Sequence, residues 1–562
     1  MGENRSTPTN WPIFRSLAGF RASSLPADLV AGLTLAAIAI PEQMATARLG
    51  GFAPQIGFFA FLAGSIGFAM FGANRFLSCG ADSTITPIFA GGLALMATSG
   101  SADYQALAMA LALLVGAIMI AGSLFRLGWI ANLLSTPVTV GFLAGISVHI
   151  LVSQLPGVLG LTAPDGPTLY KLGVLAEQIG QTNFYTLAIG LGVLALVAGS
   201  ERISARIPGA LIGLVVATAA VIVGHLESKG VKVVGTVPST LPTPSFPDIA
   251  PEKWIKLLSL AVLIAVVVMV QTAATTRSFL SDPDKPADVD RDFLGAGAGS
   301  VLAGLFGAFP VNASPPRTGI VSETGGRTQL SSLVAAAIVL ALLAFGATLL
   351  HHVPEAALGG VLLFVALRII RVTQIVTIFR QSFYEFLLVV ATAAAIIVLP
   401  IEQGVALGIA LSLLHGIWTT TRAQLVEFVH VSGTTIWWPA GPHVTGERKA
   451  GITVVGLQAP LSFLNAEGFH SDVLKAIGAA SPKPRLLVIE ASGLIEIDFT
   501  AAQELRGLFR ECREQGVTVA MARLESSRAH EAFERFDLYE VLPRDHVFRS
   551  VDEAVRALGG QA

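Results

Sequence analysis

The hydrophobic pattern of this chain is dominated by apolar segments of about 20 residues, the length that a helix needs to span a bilayer. Short polar loops separate these segments, and a longer polar stretch over residues 226–256 divides them into two sets. Segments of the first set begin near Asp28, Ala53, Asp82, Tyr104, Leu133, Phe184 and Ile207. Segments of the second set begin near Leu257, Phe293, Pro315, Ser331, Glu355, Phe383 and Gly404. The pattern therefore predicts seven transmembrane segments, a loop and seven more.

The third segment of each set is interrupted by glycine or proline. In the first set it opens with RFLSCGADSTITP at residues 75–87, and in the second with FPVNASPPRTG at residues 309–319. Interrupted segments at matching positions of two halves indicate the substrate site of a transporter built from inverted repeats. Because each half contains an odd number of helices, we expect the second half to be inverted relative to the first.

The distribution of basic residues predicts the orientation in the membrane, since cytoplasmic loops carry an excess of Lys and Arg. If the N-terminus is inside, the inside loops carry Arg5, Arg15, Arg21, Arg75, Arg126, Arg202, Arg206, Arg277, Lys285, Arg291, Arg327, Arg368, Arg371, Arg380 and Arg422. The outside loops carry only Arg48, Lys171, Lys229, Lys232, Lys253 and Lys256. An even number of segments then places the C-terminal tail in the cytoplasm as well, so we expect an inner-membrane protein with both termini cytoplasmic.

Charge density separates a membrane part from a soluble tail. The whole chain is 53% hydrophobic and 13% charged, whereas residues 430–562 carry 14 Lys and Arg and 17 Asp and Glu, which is typical of a soluble domain. We therefore predict a cytoplasmic segment over residues 1–27 and a transmembrane domain over 28–425. Its two repeats are expected at about 28–226 and 257–425, and a cytoplasmic domain follows at 430–562.

Composition also excludes several classes of protein. The formal net charge is −2 and there is no basic tract, which argues against nucleic-acid binding. Two cysteines, Cys79 and Cys512, cannot form a disulfide framework or a metal site. The N-terminus has no apolar run of the kind found in a cleavable signal peptide. No nucleotide loop, metal cluster or nucleophile–base pair stands out, so we predict no enzyme and no cofactor.

The interrupted segments contain the residues from which an anion site could be built. Irregular backbone at membrane depth is tolerated only where it lines a cavity, and the N-termini of two half-helices would direct N–H groups and positive dipole ends into it. Arg317, on the first turn of the second half-helix, adds a full positive charge. The alternative is that the prolines only kink a helix and that Arg317 pairs structurally with a carboxylate.

Neutral polar side chains flank Arg317 on both half-helices. Ser83 and Thr84 lie on the first, and Asn312 and Ser314 lie on or before the second. Their hydroxyl and amide groups could bind an oxyanion, although such groups often bond carbonyls within their own segment.

At these residues the sequence resembles the sulfate permease (SulP) family of anion transporters. AGLTLAAIAIPEQMATARLGGFAP at residues 31–54 is similar to the family's first helix, and AFPVNASPPRTGIVSETGGRTQLSSL at 308–333 is similar to its tenth-segment motif. The resemblance implies fourteen segments in two inverted repeats of seven, divided into a core and a gate domain. It also implies a site between segments 1, 3, 8 and 10, a homodimer, and alternating access by an elevator movement.

Several positions depart from the family pattern. Glu42 stands where the family usually has Gln, and some bacterial members resemble this chain in carrying a proton-coupling carboxylate there. Desolvation would disfavour its ionised form, although a permanent ion pair with Arg317 is the alternative. Gln271 replaces a carboxylate found in many relatives, which argues against sodium coupling, and Pro316 replaces a serine. Asp82 is either the N-cap of the half-helix or a second protonatable group.

The sequence of the tail predicts a small α/β domain. GITVVGL, RLLVIEA and VTVAMARL are strand-like, and DFTAAQELRGLFRECREQG is helical and ends at Gly516. The tail resembles the STAS domain, whose soluble relatives carry a phosphorylated serine in a turn that corresponds to residues 498–501. Thr500 keeps a hydroxyl there, which makes it a candidate regulatory site, although we expect it to cap the following helix.

The sequence thus predicts an all-α membrane transporter followed by a cytoplasmic STAS domain. We expect proton-coupled uptake of sulfate, a C4-dicarboxylate, bicarbonate or chloride. The proposed ligands are Arg317, Ser83, Ser314, Asn312, Thr84 and Gln271, and the proposed proton-coupling groups are Glu42 and Asp82. Expected partners are the anion, the lipid bilayer and a second copy of the chain, and a cytoplasmic partner of the STAS domain is a further candidate. The alternatives are a sodium-coupled or exchanging carrier, an anion channel, and a membrane-anchored STAS sensor.

Overall fold

A computed structural model describes most of the chain, and it divides into two compact units, Met1–Leu413 and Leu414–Ala562. The described residues are 13–17, 22–132, 135–162, 166, 168–204, 207–235, 241–280, 286–345, 350–421, 425–441 and 446–560. Among the residues used to predict topology, those outside the described ranges are Arg5, Arg21, Leu133, Arg206, Lys285 and Arg422.

The first unit is helical, as predicted. Its first half contains α1 (Leu25–Leu49), α2 (Pro54–Phe71), α3 (Thr86–Ala94), α4 (Ala102–Leu124), α5 (Thr136–Leu159), α6 (Thr168–Gln178), α7 (Phe184–Ile203) and α8 (Gly209–Gly224). Its second half contains α9 (Pro251–Ser278), α10 (Val289–Leu305), α11 (Pro315–Glu323), α12 (Leu330–Phe345), α13 (Glu355–Ile369), α14 (Val372–Gln381), α15 (Phe383–Val398) and α16 (Ile401–Thr421), which continues past Leu413. Within the described residues, seven helices are long and apolar enough to cross a membrane.

Each of the fourteen predicted segments corresponds to one of these helices, and α6 and α14 are additional. Both are short, and α14 exposes the large apolar side chains of Val372, Val376 and Phe379. Apolar segments shorter than a membrane span are not recognised by a search for 20-residue runs. The prediction therefore missed these two helices.

The half-helices α3 and α11 each follow a two-residue strand. The strands β1 (Cys79–Gly80) and β2 (Asn312–Ala313) pair antiparallel, with Cys79 opposite Ala313 and Gly80 opposite Asn312. Because the strands use each other's backbone groups, their N–H and C=O groups are satisfied without water at membrane depth. This pairing brings the starts of the two half-helices together.

The helices of the first unit pack into two bundles. The core bundle consists of α1–α4 and α9–α12, and the gate bundle of α5, α7, α8, α13 and α15. Within the core bundle, α2 and α10 approach so closely that a Cβ at Gly67 would overlap the backbone of Gly299. Small residues permit this contact where lipid offers no hydrophobic drive for helix association.

The second unit contains a mixed sheet covered by helices. Its strands are β3 (Leu425–His430), β4 (Trp437–Pro439), β5 (Ile452–Leu457), β6 (Leu486–Glu490), β7 (Thr518–Ala522) and β8 (Val547–Phe548), in the order β4-β3-β5-β6-β7-β8. Its remaining helices are α17 (Ala466–Ala479), α18 (Phe499–Glu514), α19 (Ser527–Arg535) and α20 (Val551–Leu558). The three predicted strands are β5, β6 and β7, which are parallel to each other. The sheet begins with β3 at Leu425, before the predicted start of the cytoplasmic domain at residue 430.

Candidate anion-binding site

The starts of α3 and α11 open into a cavity of about 460 Å³ between the core and gate bundles. The predicted residues that line it are Glu42, Asp82, Ser83, Thr84, Gln271, Ser314 and Arg317. Asn312 is fully buried and does not line the cavity. The structure therefore brings seven of the eight predicted transport residues to one wall of a single cavity.

Arg317 is the largest fully buried side chain at this wall, with 0% of its surface exposed. Its Nη1 donates to Glu42 Oε1 at 2.9 Å and to the carbonyl oxygen of Ala81 at 3.0 Å. Its Nε and Nη2 have no hydrogen-bond partner among the described residues. A buried donor without a partner is costly, so this edge of the guanidinium requires an acceptor. The ion pair with Glu42 that the sequence left as an alternative is present.

Backbone N–H groups contribute less to the site than the sequence suggested. Pro315 and Pro316 occupy the first turn of α11 and have no N–H, and Thr318 donates its N–H to the Ser314 carbonyl at 2.9 Å. At the start of α3, Asp82 already accepts the N–H of Thr84 at 3.0 Å. The positive charge available to an anion therefore comes mainly from the guanidinium of Arg317.

A chain of hydrogen bonds connects the two half-helices. Asn312 Nδ2 donates to Gln271 Oε1, Gln271 Nε2 donates to Thr84 Oγ1 at 2.9 Å, and Thr84 Oγ1 donates to Asp82 Oδ1. Asp82 closes the turn before α3 by accepting from Thr84, whereas the N-cap position of that helix is Ile85, which makes no side-chain capping hydrogen bond. The prediction that Asp82 is the N-cap of the half-helix is therefore wrong, and its part in proton coupling stays a prediction. Gln271 lies at the centre of the chain and links α9 to both half-helices.

Gln43 is a site residue that the sequence analysis missed. It is completely buried, its Nε2 donates to the Ala81 carbonyl at 3.1 Å, and its Oε1 accepts the Ala81 N–H at 2.8 Å. The same carbonyl accepts from Arg317. Gln43 therefore fixes the backbone group against which the guanidinium is oriented. The only sequence signal was a polar residue next to Glu42 in an apolar helix.

Replacing Gln43 with Leu is expected to raise the KM for the transported anion about tenfold. The change leaves the buried Ala81 N–H without an acceptor, at a cost of about 1–3 kcal/mol, and frees the carbonyl to shift relative to Arg317. Initial uptake rates over a range of anion concentrations would measure this. The matched control is Gln105→Leu, which removes one hydrogen bond to Gly307 outside the cavity. An unchanged KM for Gln43→Leu, or an equal rise for Gln105→Leu, would contradict a positioning role.

The opposite wall of the cavity belongs to the gate bundle and is largely apolar. Val138, Phe142 and Leu143 of α5 line this wall, and so does an ion pair between Arg368 and Glu201, at 2.9 Å. These two residues lie in the last turns of α13 and α7. The cavity therefore extends from Arg317 to the helix ends on one side of the bundle.

In the second unit, Thr500 does not have the role that we expected. The helix α18 is capped by Asp498, whose Oδ1 accepts the N–H of Ala501 at 2.8 Å. Thr500 is exposed on the first turn of that helix. The prediction that Thr500 caps the helix is therefore wrong, because the preceding carboxylate already occupies that position. Regulation through Thr500 stays a prediction.

Known proteins resemble the chain over nearly its whole length. Residues 25–392 match the model of the sulfate permease family, and residues 443–554 match that of the STAS domain. A "Probable sulfate transporter" of Mycobacterium tuberculosis is 33% identical over 533 residues, which cover 95% of this chain and 95% of that protein. "Sulfate transporter 4.1, chloroplastic" of Arabidopsis thaliana is 25% identical, over 98% of this chain and 82% of that protein.

Solved structures show the same fold. The murine anion transporter solute carrier 26 family member A9, in its inward-facing state, matches with a TM-score of 0.90 at 21% identity. The match covers 99% of this chain and 96% of that chain. The transmembrane domain of a cyanobacterial bicarbonate transporter matches with a TM-score of 0.61 at 22% identity, over 70% and 98% of the two chains. The predicted fold, a helical transporter followed by a STAS domain, is therefore confirmed.

Proposed function

The chain belongs to the sulfate permease family and is a membrane-embedded anion transporter, and we propose that it imports an oxyanion or a carboxylate together with a proton. The proposal rests mainly on one observation. Arg317 is fully buried beside the cavity, and its Nη1 binds Glu42 while its Nε and Nη2 are without partners in the described chain. One guanidinium can therefore hold a carboxylate and an anion at the same time. Since the relatives are transporters, the prediction of a transporter and not an enzyme is confirmed.

The free edge of Arg317 favours anions that present two oxygens. Two N–H groups on one side of a guanidinium match the paired oxygens of a carboxylate, sulfate or bicarbonate, so each N–H donates along a straight line to its own oxygen. A single halide ion would accept both N–H groups at bent angles, which weakens each hydrogen bond. The hydroxyls of Ser83 and Ser314 line the same wall, and Ser314 makes no capping hydrogen bond. Both are therefore proposed as additional donors to the anion.

Glu42 is the proposed proton carrier. An anion on the free edge of Arg317 puts a second negative charge next to a carboxylate that is only 12% exposed. One guanidinium then faces two anions in a poorly solvated site, and protonation of Glu42 restores the balance of charge. By linkage, the anion and the proton each increase the other's affinity. Asp82 already accepts the N–H and the hydroxyl of Thr84, so Glu42 is the first candidate of the two.

Alternating access is supported by the division into two bundles around one cavity. If the N-terminus is cytoplasmic, the end of α13 that carries Arg368 and the end of α7 that carries Glu201 face the cytoplasm. At the opposite end, Arg48 of the core bundle pairs with Glu355 of the gate bundle at 2.7 Å. We propose that the core bundle moves as an elevator against the gate bundle and that this pair breaks when the cavity opens outward.

Removing the Arg48–Glu355 pair should shift the protein toward the outward-open state. A partly exposed ion pair contributes about 0.2–1 kcal/mol, which corresponds to a change of up to about fivefold in the populations. Ala274→Cys, at an exposed position of the cavity wall, serves as a reporter. Adding Glu355→Gln should slow its labelling by an impermeant maleimide in inside-out vesicles about two- to fivefold.

The native cysteines do not interfere with this measurement. Cys79 and Cys512 are both buried, and burial raises the pKa of the Cys512 thiol to about 11. The control is Glu227→Gln, which removes a contact with His352 between two elements flanking gate helices. The charge-swapped pair, Arg48→Glu with Glu355→Arg, should restore the labelling rate. Unchanged labelling in Glu355→Gln, or equal slowing in the control, would contradict the proposal that the Arg48–Glu355 pair holds the cavity closed toward the outside.

The inner membrane is the proposed location, with both termini in the cytoplasm and two chains forming a homodimer. The excess of basic residues in the predicted inside loops supports this orientation. The STAS domain is then cytoplasmic, where a protein partner could act on it.

A second candidate is sodium-coupled transport. Position 271 holds a glutamine and not a carboxylate. Asp82, however, is joined to Gln271 through the hydroxyl of Thr84, so a carboxylate is present nearby. Oxygen-rich clusters suit hard cations. An inward sodium gradient that drives accumulation where a proton gradient does not would favour this candidate over Glu42-based coupling.

The proposed function is tested by uptake into proteoliposomes. Labelled sulfate, succinate, bicarbonate and chloride are offered with and without an inward proton gradient, in sodium-free buffer. We expect one oxyanion or carboxylate to accumulate only with the gradient. Uptake of no anion in the panel, or uptake indifferent to the proton gradient, would overturn the proposal.

A further inference from the structure

A carboxylate occupies a core position in the sheet of the STAS domain. Strand β6 is buried along its whole length, and Leu486, Val488 and Glu490 alternate toward the face that α20 covers. Glu490 is only 5% exposed. An apolar residue is the usual choice at such a position, because a buried charge without full hydrogen bonding is strongly unfavourable.

The polar partners of Glu490 leave one of its two carboxylate oxygens without a hydrogen bond. Ser492 Oγ donates to Oε2 at 3.0 Å, whereas Oε1 accepts no hydrogen bond from the described residues. Arg523 Nη1 lies 3.4 Å from Oε1, but the same guanidinium donates to Glu525 at 3.0 Å. One cation therefore serves two carboxylates. A negative charge is left unbalanced at a buried oxygen.

Glu490 lines a cavity of about 510 Å³ at the carboxyl ends of β5, β6 and β7. Ligands of parallel sheets bind at this edge. Gly456, the neighbour of Glu490 across the sheet, leaves room for the Phe428 ring, since a Cβ there would come within 2.9 Å of it. Phe428 and Trp437 pack on the same face of the sheet and both line the cavity.

We propose that this cavity binds a guanidinium group, which donates to the Glu490 carboxylate and lies against the ring of Trp437. A guanidinium is planar, is charged at every physiological pH, pairs with carboxylates through directed N–H groups and stacks on aromatic faces. It would supply the positive charge that Arg523 shares with Glu525. The site is separate from the transport cavity and does not depend on the proposed transport mechanism.

The guanidinium could belong to a free metabolite or to an arginine side chain of a protein. Agmatine represents the first source and N-acetyl-arginine amide represents the second. Calorimetric titration of the full-length protein in detergent with each compound should show one saturable site per chain for at least one of them. Tighter binding of agmatine identifies a metabolite site, and tighter binding of the amide identifies a docking site for an arginine-bearing partner.

Glu490→Gln is the decisive variant, because it keeps the shape and removes the charge. We expect it to weaken guanidinium binding at least about tenfold, while Glu496→Gln, an exposed carboxylate of the same domain, leaves binding unchanged. N-acetyl-lysine amide should bind more weakly than the arginine compound, since an ammonium lacks the planar fork. Trp437→Ala should also weaken binding.

A purely structural role of Glu490 makes the opposite prediction for stability. If Glu490 and Arg523 formed a satisfied ion pair, Glu490→Gln would lower the unfolding temperature. If the carboxylate is retained for a ligand, the variant should unfold at the same or a higher temperature without ligand. No saturable binding of either guanidinium compound, undiminished binding by Glu490→Gln, or a lowered unfolding temperature of that variant would overturn the proposal.

Discussion

Replacing Arg317 with Gln is expected to lower anion uptake at least about 100-fold. The anion loses two N–H donors from a charged group, and each hydrogen bond to a charged group contributes about 1.5–3 kcal/mol. Arg317→Lys should be nearly as impaired, because a single ammonium cannot hold Glu42, the Ala81 carbonyl and an anion in the observed directions. Uptake per folded protein in proteoliposomes is the measurement.

Loss of folding has to be separated from loss of binding in this experiment. Removing Arg317 leaves Glu42 buried without its cation, which destabilises a protein by about 3–5 kcal/mol. The double variant Arg317→Gln with Glu42→Gln removes both charges, so it should fold like the wild type and still fail to transport. Arg15→Gln is the control, because it removes an arginine–carboxylate pair, with Asp288 at 2.9 Å, that does not line the cavity. Transport by the double variant would contradict the role of Arg317.

Replacing Glu42 with Gln is expected to abolish accumulation of the anion while exchange across the membrane continues. An inward gradient of one pH unit stores about 1.4 kcal/mol per proton, which supports about tenfold accumulation at one proton per anion. Gln keeps an oxygen that can accept from Arg317 Nη1 but cannot carry a proton. The accumulation ratio should therefore fall to about one.

Asp82→Asn distinguishes the two candidate proton carriers. Asp82 accepts from both the N–H and the hydroxyl of Thr84, so we expect its substitution to alter affinity but to leave gradient-driven accumulation. Loss of accumulation in Asp82→Asn with retention in Glu42→Gln would reverse the assignment. Loss in both would mean that the two carboxylates titrate together.

The transmembrane architecture was predictable because each span needs a long apolar run, and the positions of proline marked the half-helices. Pro87, Pro315 and Pro316 interrupt apolar sequence where the structure has β1, β2 and the starts of α3 and α11. The amphipathic helix α14 was missed because it is only 10 residues long. In the tail, β8 was missed because two residues carry no periodic signal.

The site was predictable as a set of residues but not as a geometry. Sequence placed Arg317 and Glu42 at one site, yet it did not reveal that Asp82 already uses the N–H of Thr84. It also missed Gln43, because a residue adjacent to Glu42 on a helix is expected to point about 100° away from it. In this fold that direction leads to β1, and such a contact between residues 38 positions apart depends on tertiary structure.

The central claim is that anion and proton move together through Glu42 and Arg317. The most direct test records the internal pH of proteoliposomes with a trapped dye while the substrate anion is added outside, with no initial pH gradient and with the membrane potential clamped. The account predicts internal acidification that follows anion uptake and disappears in Glu42→Gln. Anion uptake without any change in internal pH would contradict it.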